Sequence, residues 1–136
     1  MSDKLISLYR ARLAREKGTI RKDWGGRLSV ALVYPNVYGI GMSNLGYQVL
    51  YHLLNRREDV VAERVFLPEN RDVSLSIEAA KGLISMESLS PLQRFDLVAF
   101  SLSFENDYPN ILTILQLGRI PFLSEARDDN HPVVMA

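Results

Sequence analysis

The chain of 136 residues contains no cysteine and only two histidines. The lack of cysteine excludes a disulfide framework, a thiolate zinc site and a protein-ligated iron–sulfur cluster within these residues. His52 and His131 are too few for a histidine-built metal site without help from carboxylates. We therefore expect no metal site in this chain.

Long apolar runs are also missing, because no segment approaches the roughly 18 residues that a membrane span needs. The start of the chain lacks the basic and then apolar pattern of a secretory signal. With 47% hydrophobic and 24% charged residues, the composition is that of an ordinary globular domain. These features predict a cytoplasmic protein without a membrane partner.

Charge is balanced overall, with 16 basic and 16 acidic residues, but residues 1–27 hold eight basic and only three acidic ones. Leu5, Leu8, Tyr9 and Leu13 recur there at helical spacing. We expect a basic N-terminal helical segment that lays this apolar stripe on its own domain and keeps its charges in water. Binding to RNA is the less favoured alternative, because a net charge of +5 with few aromatic residues is only a weak indication of nucleic-acid binding.

The remaining residues, 28–136, form the second predicted unit and alternate between strand and helix patterns. Strands are predicted over 28–34, 60–66, 95–102 and 132–136, with a short extended piece at 83–87. Helices are predicted over 45–55, 73–80 and 109–117, the first with an apolar face of Leu45, Val49, Leu53 and Leu54. The alternation predicts an α/β domain with a mostly parallel sheet.

The final predicted strand stops at Ala136, and no helix follows to cover it. We therefore expect a fragment of a larger protein, truncated at the carboxyl edge of its sheet. An open edge strand exposes backbone donors and acceptors, which favours pairing with a second copy as a homodimer.

Two loops follow predicted strands at the place where open α/β sheets bind ligands. In the first, residues 35–44, Gly39 and Gly41 permit a left-handed backbone and close approach of a ligand. Ser43 or Asn44 can cap the following helix, whose free amides favour an anion. A phosphate or nucleotide cradle and a tight strand-to-helix turn are equally compatible with this loop. Neither the dinucleotide fingerprint nor a Walker A loop is present.

The second loop places polar side chains after the strand at 95–102, namely Ser101, Ser103, Glu105, Asn106 and Asp107. Paired acids can perform acid–base chemistry, but no histidine or lysine lies beside them in the sequence. Roles in capping and in a solvated turn ahead of the next helix are favoured. No nucleophile elbow occurs, so no catalytic residue is predicted.

The run over residues 34–47, Tyr-Pro-Asn-Val-Tyr-Gly-Ile-Gly-Met-Ser-Asn-Leu-Gly-Tyr, resembles the N-terminal region of a large family of radical SAM proteins. In that family a B12-binding-like domain precedes the radical SAM barrel. The resemblance spans roughly residues 19–136, and its other matches are Leu50-Tyr51, Leu54-Asn55, Glu63-Arg64-Val65-Phe66, Glu87, Phe100-Ser101-Leu102-Ser103-Phe104-Glu105 and Asn110.

The resemblance implies a flavodoxin-like (cobalamin-binding-like) three-layer domain that is not catalytic alone. Its partner would be the downstream radical SAM barrel of the same polypeptide, which holds a 4Fe-4S cluster and uses S-adenosylmethionine. The implied ligand-binding residues lie in the two loops: Asn36, Tyr38, Gly39, Gly41, Met42, Ser43, Asn44, Ser101, Ser103 and Glu105.

Cobalamin is one implied ligand. Asn36 and Tyr38 stand, by spacing, where histidine-ligating cobalamin domains carry the Asp and His of Asp-x-His-x-x-Gly, so the axial nitrogen ligand is absent. Either cobalamin binds without a protein ligand, or the fold binds another small molecule or substrate, or it has become a docking surface. The last two are favoured. A stand-alone nucleotide- or phosphate-binding or regulatory module and an RNA-associated module are the alternatives from other functional classes.

Overall fold

A computed structural model describes residues 2–69 and 81–136. The helices are α1 (Ser2–Arg15), α2 (Tyr38–Gly41), α3 (Leu45–Asn55) and α4 (Tyr108–Leu117). The strands are β1 (Leu28–Tyr34), β2 (Val60–Phe66), β3 (Leu97–Phe100) and β4 (Val133–Met135). Short 3-10 turns occupy Leu92–Arg94, Glu105–Asp107 and Ser124–Ala126. The helix predicted over 73–80 lies outside the described residues.

The described strands form one sheet in the order β2-β1-β3-β4, and every neighbouring pair is parallel. In the register, Leu28 of β1 lies opposite Val60 of β2, and Val30 of β1 lies opposite Leu97 of β3. β1 and β2 are almost wholly buried, as expected for strands covered on both faces. This strand order is that of flavodoxin-like folds, so the predicted fold class is confirmed.

Helices cover both faces of the sheet and make three layers. Ala31 and Val33 of β1 face the layer that contains α4, where they pack with Ile114 and Leu115. The intervening residues of β1 face the layer formed by α1 and α3, in a cluster that includes Leu32, Tyr34, Tyr47, Tyr51, Leu5, Tyr9 and Leu13.

Helix α1 packs as its sequence predicts. Leu5, Tyr9 and Leu13 are buried on the domain, whereas Arg10 and Arg15 are exposed. The predicted apolar stripe on the core is therefore confirmed for this helix. Arg12 is an exception to the prediction that the charges lie in water, because its side chain is 16% exposed and lies over the rings of Tyr9 and Tyr38.

The predicted orientation of α3 is wrong. Tyr47 and Tyr51 face the core, while Leu45, Val49 and Leu53 are exposed. Leu54, the fourth residue of the predicted face, is partly buried against the core. The tyrosine rings bury a large apolar area, and the Tyr47 hydroxyl donates to the Leu32 carbonyl at 2.7 Å. The helix is apolar on two sides. The side that carries Tyr47 and Tyr51 faces the core, because the tyrosine hydroxyls find hydrogen-bond partners there. We call the exposed residues Leu45, Val49 and Leu53 the α3 stripe.

Two strand predictions were too long. The strand predicted over 95–102 is observed over Leu97–Phe100, and single backbone bonds from Asp96 to the Ser29 carbonyl and from Ser101 to the Val33 carbonyl extend its pairing at the two ends. The extended piece predicted at 83–87 contributes one isolated antiparallel bridge between Ile84 and Pro91.

One part of the sheet is open on the α3 side. Val133 and Met135 of β4 are 67% and 51% exposed, and their register partners Leu97 and Ala99 are only half-buried. Parallel sheets normally have both faces covered. Pairing of this region with a second copy stays a prediction.

Candidate functional site

The carboxyl ends of β1 and β3 lie side by side at the point where the strand order reverses. β1 connects to β2 on one side, and β3 connects to β4 on the other. In open α/β sheets this switch point is the place where ligands bind. We call the two loops that follow these strands, residues 35–44 and 101–107, the rim.

Side-chain hydrogen bonds join the two rim loops. Asn44 donates through Nδ2 to Oγ of Ser103 at 3.1 Å, and Asn36 donates through Nδ2 to Oδ1 of Asp107 at 2.9 Å. The first residues of α4 are tied to the same place, because Nδ2 of Asn110 lies 2.9 Å from the Pro35 carbonyl oxygen. The structure thus brings together the two loops that the sequence singled out.

The expected left-handed backbone at Gly39 and Gly41 is wrong, because both lie in the short right-handed helix α2 and neither has a positive φ. Gly41 is required for packing instead. A Cβ at this position would lie 2.5 Å from Cε1 of Phe66 and 3.2 Å from Cδ1 of Tyr34. A Cβ at Gly39 would meet no atom within 4 Å.

Asn44 is the residue that caps α3, since its Oδ1 accepts from the backbone N of Tyr47 at 2.9 Å. Ser43, the other candidate, instead donates through Oγ to the Gly39 carbonyl at 2.8 Å. This arrangement uses part of the helix N-terminus internally. The amides of that end are correspondingly less available to an anion.

Tyr38 points away from the other rim residues. Its hydroxyl donates to Glu16, its ring packs edge-on against Phe66, and the Arg12 guanidinium lies 4.9 Å from its ring centroid. Burial and then the Glu16 carboxylate raise the pKa of Tyr38 to about 12. The hydroxyl is protonated at neutral pH, as that of an ordinary tyrosine is, and its proton is donated to Glu16.

The other predicted site residues have mixed environments. Met42 accepts at its carbonyl from Gln48, and its Sδ lies 3.5 Å from Nη1 of Arg64. Ser101 continues the β1–β3 ladder by donating its backbone N–H to the Val33 carbonyl at 2.8 Å. Ser103 and Glu105 are exposed at the rim.

A buried charge cluster lies on the α1 and α3 side of the sheet, and the sequence analysis did not identify it as such. Arg64 of β2 donates through Nη2 to Glu16 at 2.7 Å and through Nε to Glu87 at 2.8 Å. The Tyr51 hydroxyl donates to Glu87 at 2.6 Å, and the Arg64 guanidinium lies 4.8 Å from the Tyr51 ring centroid. The available signal was an arginine inside an apolar strand, a residue that is rarely buried unless paired.

The pKa values in this cluster reflect burial and pairing. Burial raises the pKa of Glu87, although Arg64 and Tyr51 both favour its carboxylate. Burial also acts to raise the pKa of Glu16, but hydrogen bonds from Arg64, Tyr38 and Thr19 outweigh it and the pKa is lowered. Burial opposes the charge on Arg64, but Glu87 and Glu16 outweigh it and raise the Arg64 pKa. The cluster fixes α1 and the segment around residue 87 to β2.

Glu63, the neighbour of Arg64, is satisfied by neutral donors. Its carboxylate accepts from Nε1 of Trp24 at 2.8 Å, from Oγ of Ser85 at 2.7 Å and from Oγ of Ser88 at 2.6 Å. Trp24 also packs on Phe95, with ring centroids 4.6 Å apart. The Glu63-Arg64 pair that contributed to the family resemblance therefore organises the interior rather than the rim.

Within residues 2–69 and 81–136 no group of histidine, aspartate and glutamate side chains is arranged to hold a metal ion. His131 lies 3.1 Å from Asp128, and His52 is exposed on α3. No helix among the described residues is long and apolar enough to cross a membrane.

Comparison with known proteins gives one match. The family model described as "Radical SAM proteins, N-terminal" matches residues 46–136, which is more than half of the chain and includes the loop after β3. Neither the curated proteins nor the solved structures contain a match. The chain therefore belongs to this family of N-terminal domains of radical SAM proteins.

Proposed function

We propose that the chain is an accessory, non-catalytic domain that helps to bind a substrate or a cobalamin-like cofactor for the radical SAM part of its protein. The observation that carries this proposal is the pair of hydrogen bonds, Asn44 to Ser103 and Asn36 to Asp107, that joins two polar loops at the switch point. The 4Fe-4S cluster and S-adenosylmethionine belong, on this proposal, to the catalytic barrel, because the chain has no cysteine to ligate a cluster.

A ligated cobalamin does not fit the residues present. Asn36 uses its Nδ2 on Asp107 and its Oδ1 on the backbone N of Val37 at 2.8 Å, and the Tyr38 hydroxyl is occupied by Glu16. Neither side chain is free to serve as an axial ligand. A corrin held through its periphery, or a substrate of similar polarity, remains compatible with the rim.

Apolar side chains around the rim support docking to the barrel. Leu45 directly follows Asn44 and is 75% exposed, and Phe104 directly follows Ser103 and is 61% exposed. The α3 stripe extends the apolar surface away from the rim. Exposed apolar patches of this kind mark protein interfaces.

Co-purification tests the docking. Residues 1–136 and the remainder of the full protein are co-expressed as two chains, and we expect them to purify together. The double substitution Val49→Asp and Leu53→Asp should abolish the association, because it charges the α3 stripe. Arg94→Asp, at an exposed position in the 3-10 turn before β3, is the matched control and should leave it intact. Failure of the unsubstituted chains to associate would refute docking through this surface.

The basic segment supports a second candidate function, association with RNA. Five of its cations are exposed and make no hydrogen bond or ion pair with the described residues: Lys4, Arg10, Arg15, Lys17 and Arg21. Phosphate backbones bind such surfaces with a steep dependence on salt. Fluorescence anisotropy with single-stranded RNA should show that dependence and a loss of binding when Arg10, Arg15 and Arg21 become alanine. Binding unchanged by these substitutions would exclude this role.

A further inference from the structure

Two buried side-chain atoms among the described residues have no hydrogen-bond partner, Tyr34 Oη and Asp107 Oδ2. Tyr34 is the last residue of β1, and Asp107 ends the turn that follows β3. Both residues thus belong to the chain segments that form the switch point. Nearly all buried polar atoms in folded proteins have a partner, so an exception at a candidate site calls for an explanation.

Of the two atoms, Oδ2 of Asp107 has the greater need for a hydrogen-bond partner, and that partner must be a donor, because an ionised carboxylate oxygen only accepts hydrogen bonds. The residue is 4% exposed, and its other oxygen, Oδ1, accepts from Asn36 across the two loops. Its side chain does not cap α4. Since both oxygens belong to one carboxylate, Oδ2 lies at the junction of the rim loops and lacks a donor there.

Each neighbouring amide side chain uses one of its two Nδ2 hydrogens within the domain. Nδ2 of Asn36 bonds Oδ1 of Asp107, Nδ2 of Asn44 bonds Ser103, and Nδ2 of Asn110 bonds the Pro35 carbonyl. None of these amides donates to Oδ2 of Asp107, so that oxygen keeps its capacity to accept from a ligand.

The charged residues of the two loops also favour a ligand that donates hydrogen bonds. Residues 35–44 and 101–110 contain Glu105 and Asp107 and no lysine, arginine or histidine. A phosphate placed between them would face two carboxylates with no cation supplied by either loop, and Arg64, which lies against Met42, is already paired with Glu16 and Glu87. A neutral or cationic donor would be favoured there instead. This argues against the phosphate-cradle interpretation of the first loop.

We infer that the rim binds its ligand through hydrogen-bond donors of the ligand, primary amide or ammonium groups, and that Asp107 Oδ2 accepts one of them. The inference rests on the proposed function, because it names the chemistry of the ligand at that same site. Primary amides occur on the periphery of a corrin, which makes a corrin without its nucleotide phosphate a suitable probe.

The substitution Asp107→Asn tests the role of this oxygen with almost no change of shape. It keeps an acceptor for Asn36 and replaces the second oxygen with a donor. We expect the affinity of the chain for cobinamide, an amide-bearing corrin without phosphate, to fall at least tenfold, while the urea midpoint of unfolding does not fall. Asp129→Asn, at an exposed aspartate, is the control and should change neither. Unchanged affinity, or a lower urea midpoint that reveals a structural role, would overturn the inference.

A probe comparison tests the ligand class independently. Backbone amide NMR signals of Asn44 and Ser103 should shift with cobinamide or with S-adenosylmethionine, which carries an ammonium group, and should not shift with AMP. Shifts with AMP alone, or with none of the three, would contradict the inference. Failure of the unsubstituted chains to co-purify refutes the proposed docking, whereas a domain that docks but binds neither cobinamide nor S-adenosylmethionine refutes only the present inference.

Discussion

Asn36 donates through Nδ2 to Oδ1 of Asp107 across 2.9 Å, and this bond joins the end of β1 to the turn after β3. The two residues are 71 positions apart in the sequence and meet because parallel strands with adjacent carboxyl ends deliver their loops to one edge of the sheet.

Replacement of Arg64 by methionine should destabilise the domain strongly. The carboxylates of Glu16 and Glu87 would lose their common cation while remaining buried, which typically costs about 3–5 kcal/mol. Urea unfolding monitored by circular dichroism measures the change. Arg57→Met removes the exposed ion pair with Asp59 and should leave the urea midpoint unchanged. Equal effects of both substitutions would contradict the assigned role of the cluster.

Acid sensitivity should depend on Glu16. Its pKa is lowered in the folded state from its ordinary value of 4.5, so its ionised form contributes stability above about pH 4.5 that is lost as the pH falls through the lower folded value. Glu16→Gln should therefore make the loss of unfolding free energy below pH 4.5 shallower. Thermal melts between pH 3 and 7 measure this, with Glu58→Gln at an exposed position as the control. If the unfolding free energy of Glu16→Gln falls below pH 4.5 as steeply as that of the unsubstituted chain, the role assigned to Glu16 is refuted.

The two glycines of α2 should respond differently to alanine. Gly41→Ala forces a Cβ against Phe66 and should cost about 1–3 kcal/mol through overpacking. Gly39→Ala enters open space in a helical conformation and should leave stability unchanged or slightly raised. Urea midpoints of the two variants provide the comparison, and the order of effects would be reversed if Gly39 were the packed glycine.

The orientation of α3 predicts another contrast. Leu53→Gln should change the unfolding free energy by no more than about 0.5 kcal/mol, because Leu53 is exposed. Tyr51→Phe removes the hydroxyl that donates to buried Glu87 and should cost about 1–3 kcal/mol. A large loss of stability in Leu53→Gln would mean that the α3 stripe faces the core.

The sequence was sufficient to predict β1, β2 and α3 within their observed bounds, because each is a distinct apolar run between turn residues. It also predicted that the loops after β1 and β3 lie at the ligand-binding edge of the sheet, since the alternation of strand and helix implies parallel strands. That the two loops are neighbours depends on the strand order, which the structure provides. It did not predict which side of α3 is buried, because Tyr47 and Tyr51 outcompete leucines only once their hydroxyls find partners. The sequence also did not predict the charge cluster around Arg64, because its partners Glu16 and Glu87 are distant from it in the sequence.

Photo-crosslinking in the full-length radical SAM protein tests most directly whether the rim faces the catalytic part. A benzophenone amino acid replaces Glu105, exposed at the rim, or Arg94, exposed in the turn before β3 at the opposite edge of the sheet. Mass spectrometry then identifies the crosslinked peptides. We predict crosslinks from position 105 to the catalytic barrel and none from position 94; crosslinks from position 94 and none from position 105 would contradict the account.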